Sequence, residues 1–236
     1  MKFPTPLVKG TLVRRYQRFL ADVALESGAT VTAHCANPGS MLGVNAAGSE
    51  VWLSESPNPA RKLRHTWEMI RVGRTLVGIN TQHPNRLVEE AIRAGRIGEL
   101  AGYANLRREV RYGANSRIDL LLEDPHRPAC HVEVKNVTMK RDPAPSAPAE
   151  FPDSVTARGA KHLVELSRVA QKGGRAVMFF LVQRADARAF APAADIDPGY
   201  AQALARAQAR GVEVLCYGCR LSPREIRVNT PLAIRL

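Results

Sequence analysis

The chain has 236 residues, with 34 Lys and Arg against 22 Asp and Glu, giving a net charge of +12 and a pI near 10.1. This length suits one large domain or two small ones, and the basic balance indicates a polyanionic partner, with nucleic acid ahead of an anionic membrane surface. No apolar run approaches the roughly 20 residues of a membrane helix, and the first residues lack the apolar core of a signal peptide, so we expect a cytoplasmic protein. The four cysteines are too few and too scattered for a disulfide scaffold, and we interpret them as partly buried free thiols.

The first third of the chain is made of short strand-like runs broken by Gly, Pro and Asn. The predicted strands are residues 11–23, 30–33, 50–54, 68–72 and 76–80. Strands of this length and number in about 80 residues are typical of a small β-barrel. We therefore predict an OB-like β-barrel over residues 1–82.

The remainder, residues 83–236, alternates helices and strands. The predicted helices are residues 85–94, 156–172 and 200–210, and the predicted strands are residues 107–112, 116–123, 129–135, 176–182 and, as the last, 212–217. The Pro- and Ala-rich stretch 142–152 has the composition of a disordered loop. This order predicts an α/β (α+β) domain with a mixed sheet flanked by helices.

The hairpin formed by residues 116–123 and 129–135 carries a group of charges. If its strands pair symmetrically about the turn, Asp119 lies opposite Glu133. Side chains alternate along a strand, so Ile118 and Leu120 share the core face, while Asp119, Glu133 and Lys135 share the other. Two facing carboxylates repel unless something positive lies between them, and a hard divalent cation is the simplest candidate.

This spacing of an aspartate followed by Glu-x-Lys on the next strand resembles the active-site signature of the PD-(D/E)xK nuclease superfamily. The resemblance implies that Asp119 and Glu133 hold Mg²⁺ or Mn²⁺, and that Lys135 activates water or neutralises the scissile phosphate. Many members add a glutamate from the first core helix to the catalytic and metal site, and Glu90 is the candidate here, ahead of Glu89. The alternative is a solvated hairpin beside two solvated helix glutamates.

Basic and aromatic residues indicate a nucleic-acid surface, because basic grooves with stacking rings hold single strands. The candidates are Arg14, Arg15, Tyr16, Arg18, Arg61, Lys62 and Arg64 in the first domain and Arg117, Arg158 and His162 in the second. Arg158 and His162 are spaced i, i+4 on a predicted helix and form a basic pair suited to a phosphate. A solvated basic rim is the alternative, and Glu165 is expected to pair with Lys161 at the surface.

Three further residues are candidates for supporting roles. His34 and Asn37 lie in a segment of turn-forming residues, 34–41, that can expose backbone N–H groups to an anion. Gln183 ends an apolar strand, where it could orient a water or contact a base. A tight turn and a plain strand end are the alternatives.

Five segments, residues 11–23, 34–41, 116–119, 133–138 and 151–153, together resemble the sugar fermentation stimulation protein A family nearly end to end. The resemblance implies an OB-like domain ahead of a PD-(D/E)xK-like one, DNA binding without sequence preference, and a regulatory role in sugar (maltose) metabolism. Two hypotheses follow: a metal-dependent nuclease, and a DNA-binding regulatory protein without catalysis. RNA is a second candidate partner, no membrane partner is expected, and the number of chains is open, with a homodimer as one option.

Overall fold

A computed structural model describes residues 1–113 and 116–236. In the first part of the chain the strands are β1 (Val8–Tyr16), β2 (Leu20–Leu25), β3 (Thr30–Cys35), β4 (Glu50–Glu55), β5 (His65–Val72) and β6 (Thr75–Gly78). They follow the order β3-β2-β1-β4-β5-β6, and a parallel pairing of β3 with β5 closes the first five strands into a barrel. The prediction of an OB-like barrel is confirmed.

The predicted strand over residues 11–23 is wrong in one respect, because the chain reverses within it. β1 and β2 form a hairpin whose turn contains Gln17 and Arg18, both with positive φ, at 48° and 62°. Arg18 and Phe19 therefore lie in a turn and not on a strand. Residues 17–19 contain neither the Gly nor the Asn that is usual in such a turn, so the composition of the segment does not signal the reversal.

The second part of the chain is a mixed sheet with helices on both faces. Its strands are β7 (Asn105–Tyr112), β8 (Ser116–Asp124), β9 (Arg127–Val137), β10 (Ala149–Phe151), β11 (Arg175–Val182), β12 (Ala189–Pro192), β13 (Glu213–Ser222), β14 (Glu225–Pro231) and β15 (Ala233–Ile234), and its helices are α1 (Pro84–Arg93), α2 (Ala157–Gln171) and α3 (Pro198–Ala209). The main sheet has the order β14-β13-β11-β9-β8-β7, with β9, β11 and β13 parallel. One face packs on α1, and the other packs on α2 and α3, which confirms the predicted architecture.

Two expectations about the second part are wrong. The stretch 142–152, expected to be disordered, contains β10, which pairs in parallel with β12 and buries Ala149. The strand predicted as the last is followed by β14 and β15. Composition did not reveal β10, because its pairing partner lies about forty residues further along the chain and the contact is not local.

The β8–β9 hairpin has the predicted register over its middle, where Leu120 pairs with Val132. The predicted sharing of a face by Ile118 and Leu120 is wrong, because Leu120 packs against α1 whereas Ile118 packs against α2 and α3. The change of face occurs at Asp119. Across from it on β7, Glu109 adopts a positive φ of 54°, which interrupts the pleat of both strands.

The barrel and the sheet share one hydrophobic core. Trp52 and Met69 of the barrel pack in the same buried cluster as Leu87 and Val88 of α1. The main chain continues the contact, since the Gly78 N–H donates to the Gln183 carbonyl at 2.9 Å. The two parts are therefore joined by core packing as well as by the chain.

Two simpler expectations can be compared with the structure directly. All four cysteines are buried and free, and burial raises the pKa of both Cys130 and Cys216 to about 12, so these thiols are poor nucleophiles at neutral pH. Within the part of the chain described, no helix has the length and apolar character needed to span a membrane.

Candidate active site between the barrel and the sheet

An open cleft of about 350 Å³ lies over the inner strands β8 and β9 of the main sheet, next to the barrel. Its lining side chains come from β8, β9 and the N-terminal halves of α1 and α2, and include Asp119, Glu133, Lys135, Asn85, Arg158 and His162. The hairpin brings the two carboxylates and the lysine together, as the strand alternation predicts. The helix residues come from packing that the sequence pattern does not specify.

Asp119 is half-buried at the point where β8 changes face. Its Oδ2 accepts a hydrogen bond from the Val134 N–H at 2.7 Å, and its Oδ1 accepts one from the Asn85 amide at 2.8 Å. Burial, and then the neighbouring charge of Glu133, raise the pKa of Asp119 to about 6. Its ionised form is therefore electrostatically unfavourable in the folded protein.

Glu133 is more deeply buried, with 2% of its surface exposed. Its Oε1 accepts a hydrogen bond from Lys135 Nζ at 2.8 Å and contacts His162 Nδ1, whereas its buried Oε2 has no hydrogen-bond partner among the described residues. Burial would raise the pKa of Glu133, but the hydrogen bond with His162 and the charge of Lys135 outweigh it and lower the pKa. Glu133 is thus the carboxylate that ionises first.

The predicted phosphate-binding pair on α2 is split by the structure. Arg158 is exposed at the cleft, but His162 is buried against Glu133, and its Nε2 accepts from Arg158 Nε at 3.4 Å. The spacing i, i+4 correctly predicts that the two side chains are neighbours, but not that the second faces the sheet. The expected pair of Glu165 with Lys161 is also wrong, since Glu165 pairs with Arg168 at 2.8 Å.

The structure does not bring Glu90 to Asp119. One Glu90 oxygen pairs with the Met1 amino group at 2.6 Å and the other accepts from Arg86 at 2.9 Å. The residue of α1 that reaches Asp119 is Asn85, five residues earlier. The burial of Pro84, Leu87, Val88 and Ala91 sets the rotation of α1 and directs Asn85 towards β8.

Several barrel candidates are already engaged within the protein. Arg15 is half-buried and donates to the carbonyls of Asn37 at 2.9 Å and Gly39 at 3.0 Å. These hydrogen bonds stabilise the turn of residues 34–41. Arg14 pairs with Asp22 at 2.8 Å and lies 4.7 Å from the centre of the Tyr16 ring.

The remaining basic candidates differ in how far they are paired. Arg64 forms an ion pair with Glu55 at 2.7 Å, and Arg61 donates to Thr66 at 3.0 Å. Among the described residues, the exposed barrel and β8 candidates with neither an ion pair nor a side-chain hydrogen bond are Arg18, Lys62 and Arg117. The part of the predicted surface that remains open to a polyanion is therefore smaller than the sequence suggests.

The three supporting candidates have different positions. Asn37 is buried, donates to the Ile79 carbonyl at 3.1 Å and accepts from the Gly39 N–H at 3.0 Å, so it shapes its own turn. Gln183 is fully buried and donates to Asn136 at 2.8 Å. His34 lies half-buried on β3 and does not line the Asp119 cleft.

The cleft has the donor set expected of a site for a hard cation. A positive charge beside the two carboxylates would offset their repulsion, which contributes to the raised pKa of Asp119. In residues 1–113 and 116–236 no three His, Cys, Asp or Glu side chains form a metal-binding group. Two carboxylates suit Mg²⁺, which keeps several waters and is often bound by one or two carboxylates together with substrate phosphates.

Comparison with known proteins identifies the family. The family model described as Sugar fermentation stimulation protein RE domain matches residues 82–225, and the one described as SfsA N-terminal OB domain matches residues 13–79. Sugar fermentation stimulation protein homologs from Rhodospirillum rubrum and Rhodospirillum centenum are 61% and 60% identical, each covering 99% of both chains. The structure of Pyrococcus furiosus SfsA in complex with Ca²⁺ is 25% identical, covers 100% of this chain and 98% of that one, and superposes with a TM-score of 0.89. The chain therefore belongs to the sugar fermentation stimulation protein family.

Proposed function

We propose that this protein is a metal-dependent nuclease that binds DNA without sequence preference and hydrolyses phosphodiester bonds at the Asp119 cleft. The observation that carries the proposal is the electrostatic state of the cleft. Asp119 has a raised pKa, and Glu133 holds a buried oxygen without a hydrogen-bond partner among the described residues, both beside Lys135. A structural cluster would have satisfied these groups, so the site is best explained as one that receives a ligand.

Each side chain of the cleft has a role in this reaction. Asp119 and Glu133 would hold Mg²⁺ or Mn²⁺, which, when bound, polarises the phosphate and lowers the pKa of a water. Lys135 places its ammonium next to the carboxylates and stabilises charge that develops on the phosphate. Arg158, exposed on the same rim, is positioned to bind an adjacent phosphate.

Two features around these residues support the assignment. His162 contacts Glu133 Oε1 and Asn85 donates to Asp119, so both carboxylates are held in place from α2 and α1. The related Pyrococcus furiosus protein was solved with Ca²⁺, a hard cation that takes oxygen ligands as Mg²⁺ does. Both observations agree with a divalent cation at this cleft.

The test is a cleavage assay with single- and double-stranded DNA and RNA, in Mg²⁺, in Mn²⁺ and in EDTA. We expect cleavage in Mg²⁺ or Mn²⁺, none in EDTA, and loss of cleavage in Lys135→Ala with DNA retention largely unchanged. Lys172→Ala, an exposed lysine after α2, is the matched control and should behave as the wild type. Equal cleavage by Lys135→Ala and the wild type would refute the proposal.

The second candidate is a DNA-binding regulatory protein, without catalysis, that affects sugar (maltose) metabolism. The net charge of +12 and the exposed Arg18, Lys62 and Arg117 favour it. It predicts DNA retention without cleavage in any metal, and an affinity that falls by about 0.9 log unit per log unit of salt for each phosphate contact. A salt-independent affinity would contradict it.

A further inference from the structure

We infer that the substrate of this cleft is an unpaired strand of DNA, whose base enters a second pocket beside Asp119. The inference rests on the proposed function and specifies its substrate class. It comes from a second pocket of about 230 Å³ that lies between the barrel and the sheet.

The two pockets adjoin, because Thr81 and Asn136 line both of them. One wall of the second pocket is the barrel turn at Asn37 and Gly39, and the opposite wall includes Phe151 at the end of β10. A nucleotide with its phosphate at Lys135 would therefore have its base within reach of this pocket.

The two pockets differ in charge, and the difference matches that between the phosphate and the base of a nucleotide. The Asp119 cleft contains Lys135 and Arg158, which attract phosphate. The described lining of the second pocket contains no Lys or Arg to attract phosphate, and it includes Asp153, which repels it, and Glu150, which is ion-paired with Arg141. Amides and carboxylates beside an aromatic ring are the groups that read the edge and face of an unstacked base.

Asn136 lies where the two pockets meet, and one side of its side-chain amide is held by a hydrogen bond. Its Oδ1 accepts from Gln183 Nε2 at 2.8 Å, so its Nδ2 points away from Gln183, and this Nδ2 atom has no hydrogen-bond partner among the described residues. Gln183 is itself fully buried under Gly78, where a Cβ would lie 2.6 Å from Gln183 Oε1. The buried Gln183 thus holds Asn136 so that its Nδ2 is available as a donor between the Asp119 cleft and the second pocket.

The second pocket is held at a fixed width. Ser40 Oγ donates to the Asp153 carbonyl at 2.7 Å, and the Met41 N–H donates to Asp153 Oδ2 at 2.9 Å. Arg15 holds the same turn from the barrel side through the Asn37 and Gly39 carbonyls. A pocket of this size with braced walls admits one base and not a base pair, so the strand must be unpaired where it enters.

The experiment measures the fluorescence anisotropy of labelled DNA with the full chain in EDTA, so that binding is read without cleavage. The probes are a single strand of about 12 nucleotides, the same strand with one abasic site, a blunt hairpin with the same number of phosphates, and the RNA single strand. The variants are Asn136→Ala, Asn136→Asp and, as a matched control on the exposed part of β14, Asn229→Ala.

We expect the single strand to bind about tenfold more tightly than the hairpin, and the abasic site to weaken binding about fivefold or more. Both Asn136 variants should weaken single-strand binding and leave hairpin binding unchanged, and Asn229→Ala should change neither. The abasic probe tests the pocket on the wild type alone, whatever the folding of the variants.

Four results would overturn the inference. Equal affinity for the strand and the hairpin, or equal losses on both in the Asn136 variants, would remove the base pocket while leaving the proposed nuclease intact. Tighter binding of the RNA strand than of the DNA strand would overturn the assignment to DNA. No binding to any probe would overturn the proposed function together with this inference.

Discussion

Each part of the molecule buries one glutamate against a histidine, and the two differ in how completely they are satisfied. In the barrel, Glu68 is 4% exposed and receives hydrogen bonds on both oxygens, from Ser54 at 2.6 Å, from Asn80 at 2.8 Å and from His83 at 2.6 Å. In the sheet, Glu133 is equally buried, but all of its partners are on one oxygen.

The surroundings extend this difference. Burial would raise the pKa of Glu68, but its hydrogen bonds from His83, Ser54 and Asn80 outweigh it, and the pKa is lowered. Glu133 also has a lowered pKa, but burial and then the charge of Glu133 raise the pKa of its neighbour Asp119 to about 6. A buried carboxylate that is satisfied on both oxygens stabilises the fold, whereas one that leaves an oxygen free and perturbs a second carboxylate indicates a functional site.

The largest expected effect is on DNA cleavage, where substitutions of Glu133 and Glu68 should differ. Glu133→Gln should reduce metal-dependent DNA cleavage by about a thousandfold or more, because it removes a ligand charge from the proposed metal site. Glu68→Gln, in the barrel, should keep cleavage within about threefold of the wild type, since it touches no residue of the Asp119 cleft. Initial rates on a labelled strand measure both, and a comparable loss in Glu68→Gln would break the comparison.

The second largest effect is on stability, and it concerns the barrel glutamate Glu68. Glu68→Ala should lower the free energy of unfolding by about 2–4 kcal/mol, because Ser54, Asn80 and His83 lose a shared buried acceptor. Urea unfolding followed by tryptophan fluorescence measures it. Glu55→Ala is the control, since this exposed glutamate has Arg64 as its one ion-pair partner among the described residues and should change stability by less than about 1 kcal/mol.

The third effect is the pH dependence of the metal-free protein. Because the folded state raises the pKa of Asp119 from 3.8 to about 6, its contribution to stability is present below pH 4 and is lost as the pH rises through 6. The stability of Asp119→Asn relative to the wild type should therefore increase by about 2 kcal/mol between pH 4 and pH 7.

Glu68 supplies the matched control, because its pKa is lowered in the folded state. Its stabilisation is present above its ordinary pKa and is lost as the pH falls, so the deficit of Glu68→Gln should grow as the pH rises. Thermal unfolding in EDTA across this range measures both variants. Parallel pH trends would show that the two carboxylates are equivalent after all.

The smallest effect tests whether paired and free cations differ at the barrel surface. Lys62 and Arg64 lie in the same exposed segment, but Arg64 already pairs with Glu55 at 2.7 Å. Lys62→Ala should reduce the salt dependence of DNA binding by about one phosphate contact, whereas Arg64→Ala should leave it nearly unchanged. Anisotropy titrations at several salt concentrations measure the slopes, and a steeper change in Arg64→Ala would contradict the prediction.

The sequence predicted the parts of the site that depend on local pattern. Alternation along one hairpin was enough to place Asp119, Glu133 and Lys135 together. It could not show that Asn85 replaces Glu90 at the sheet, because the rotation of α1 is set by packing on non-local strands. The burial of His162 against Glu133 depends in the same way on the distance between α2 and β9.

The second pocket was hidden for a related reason. The sequence singled out Asn37 and Gln183 as separate candidates, one from a turn and one from a strand end, with nothing to connect them. Asn136 is adjacent to Gln183 because β9 pairs with β11. It shares a pocket with Thr81 and Asn37 because the barrel docks beside the sheet. Positions contributed by two domains to one cavity leave no periodic signal in either.

The core shared by Trp52, Met69 and α1 has a consequence for how this protein can vary. A barrel that carries its neighbour's core residues cannot be exchanged for another barrel, or removed, without uncovering apolar surface on the remaining part. The barrel is thus a wall of the second pocket and a support of the helix that carries Asn85. Truncation to the sheet alone should give an insoluble fragment rather than a smaller nuclease.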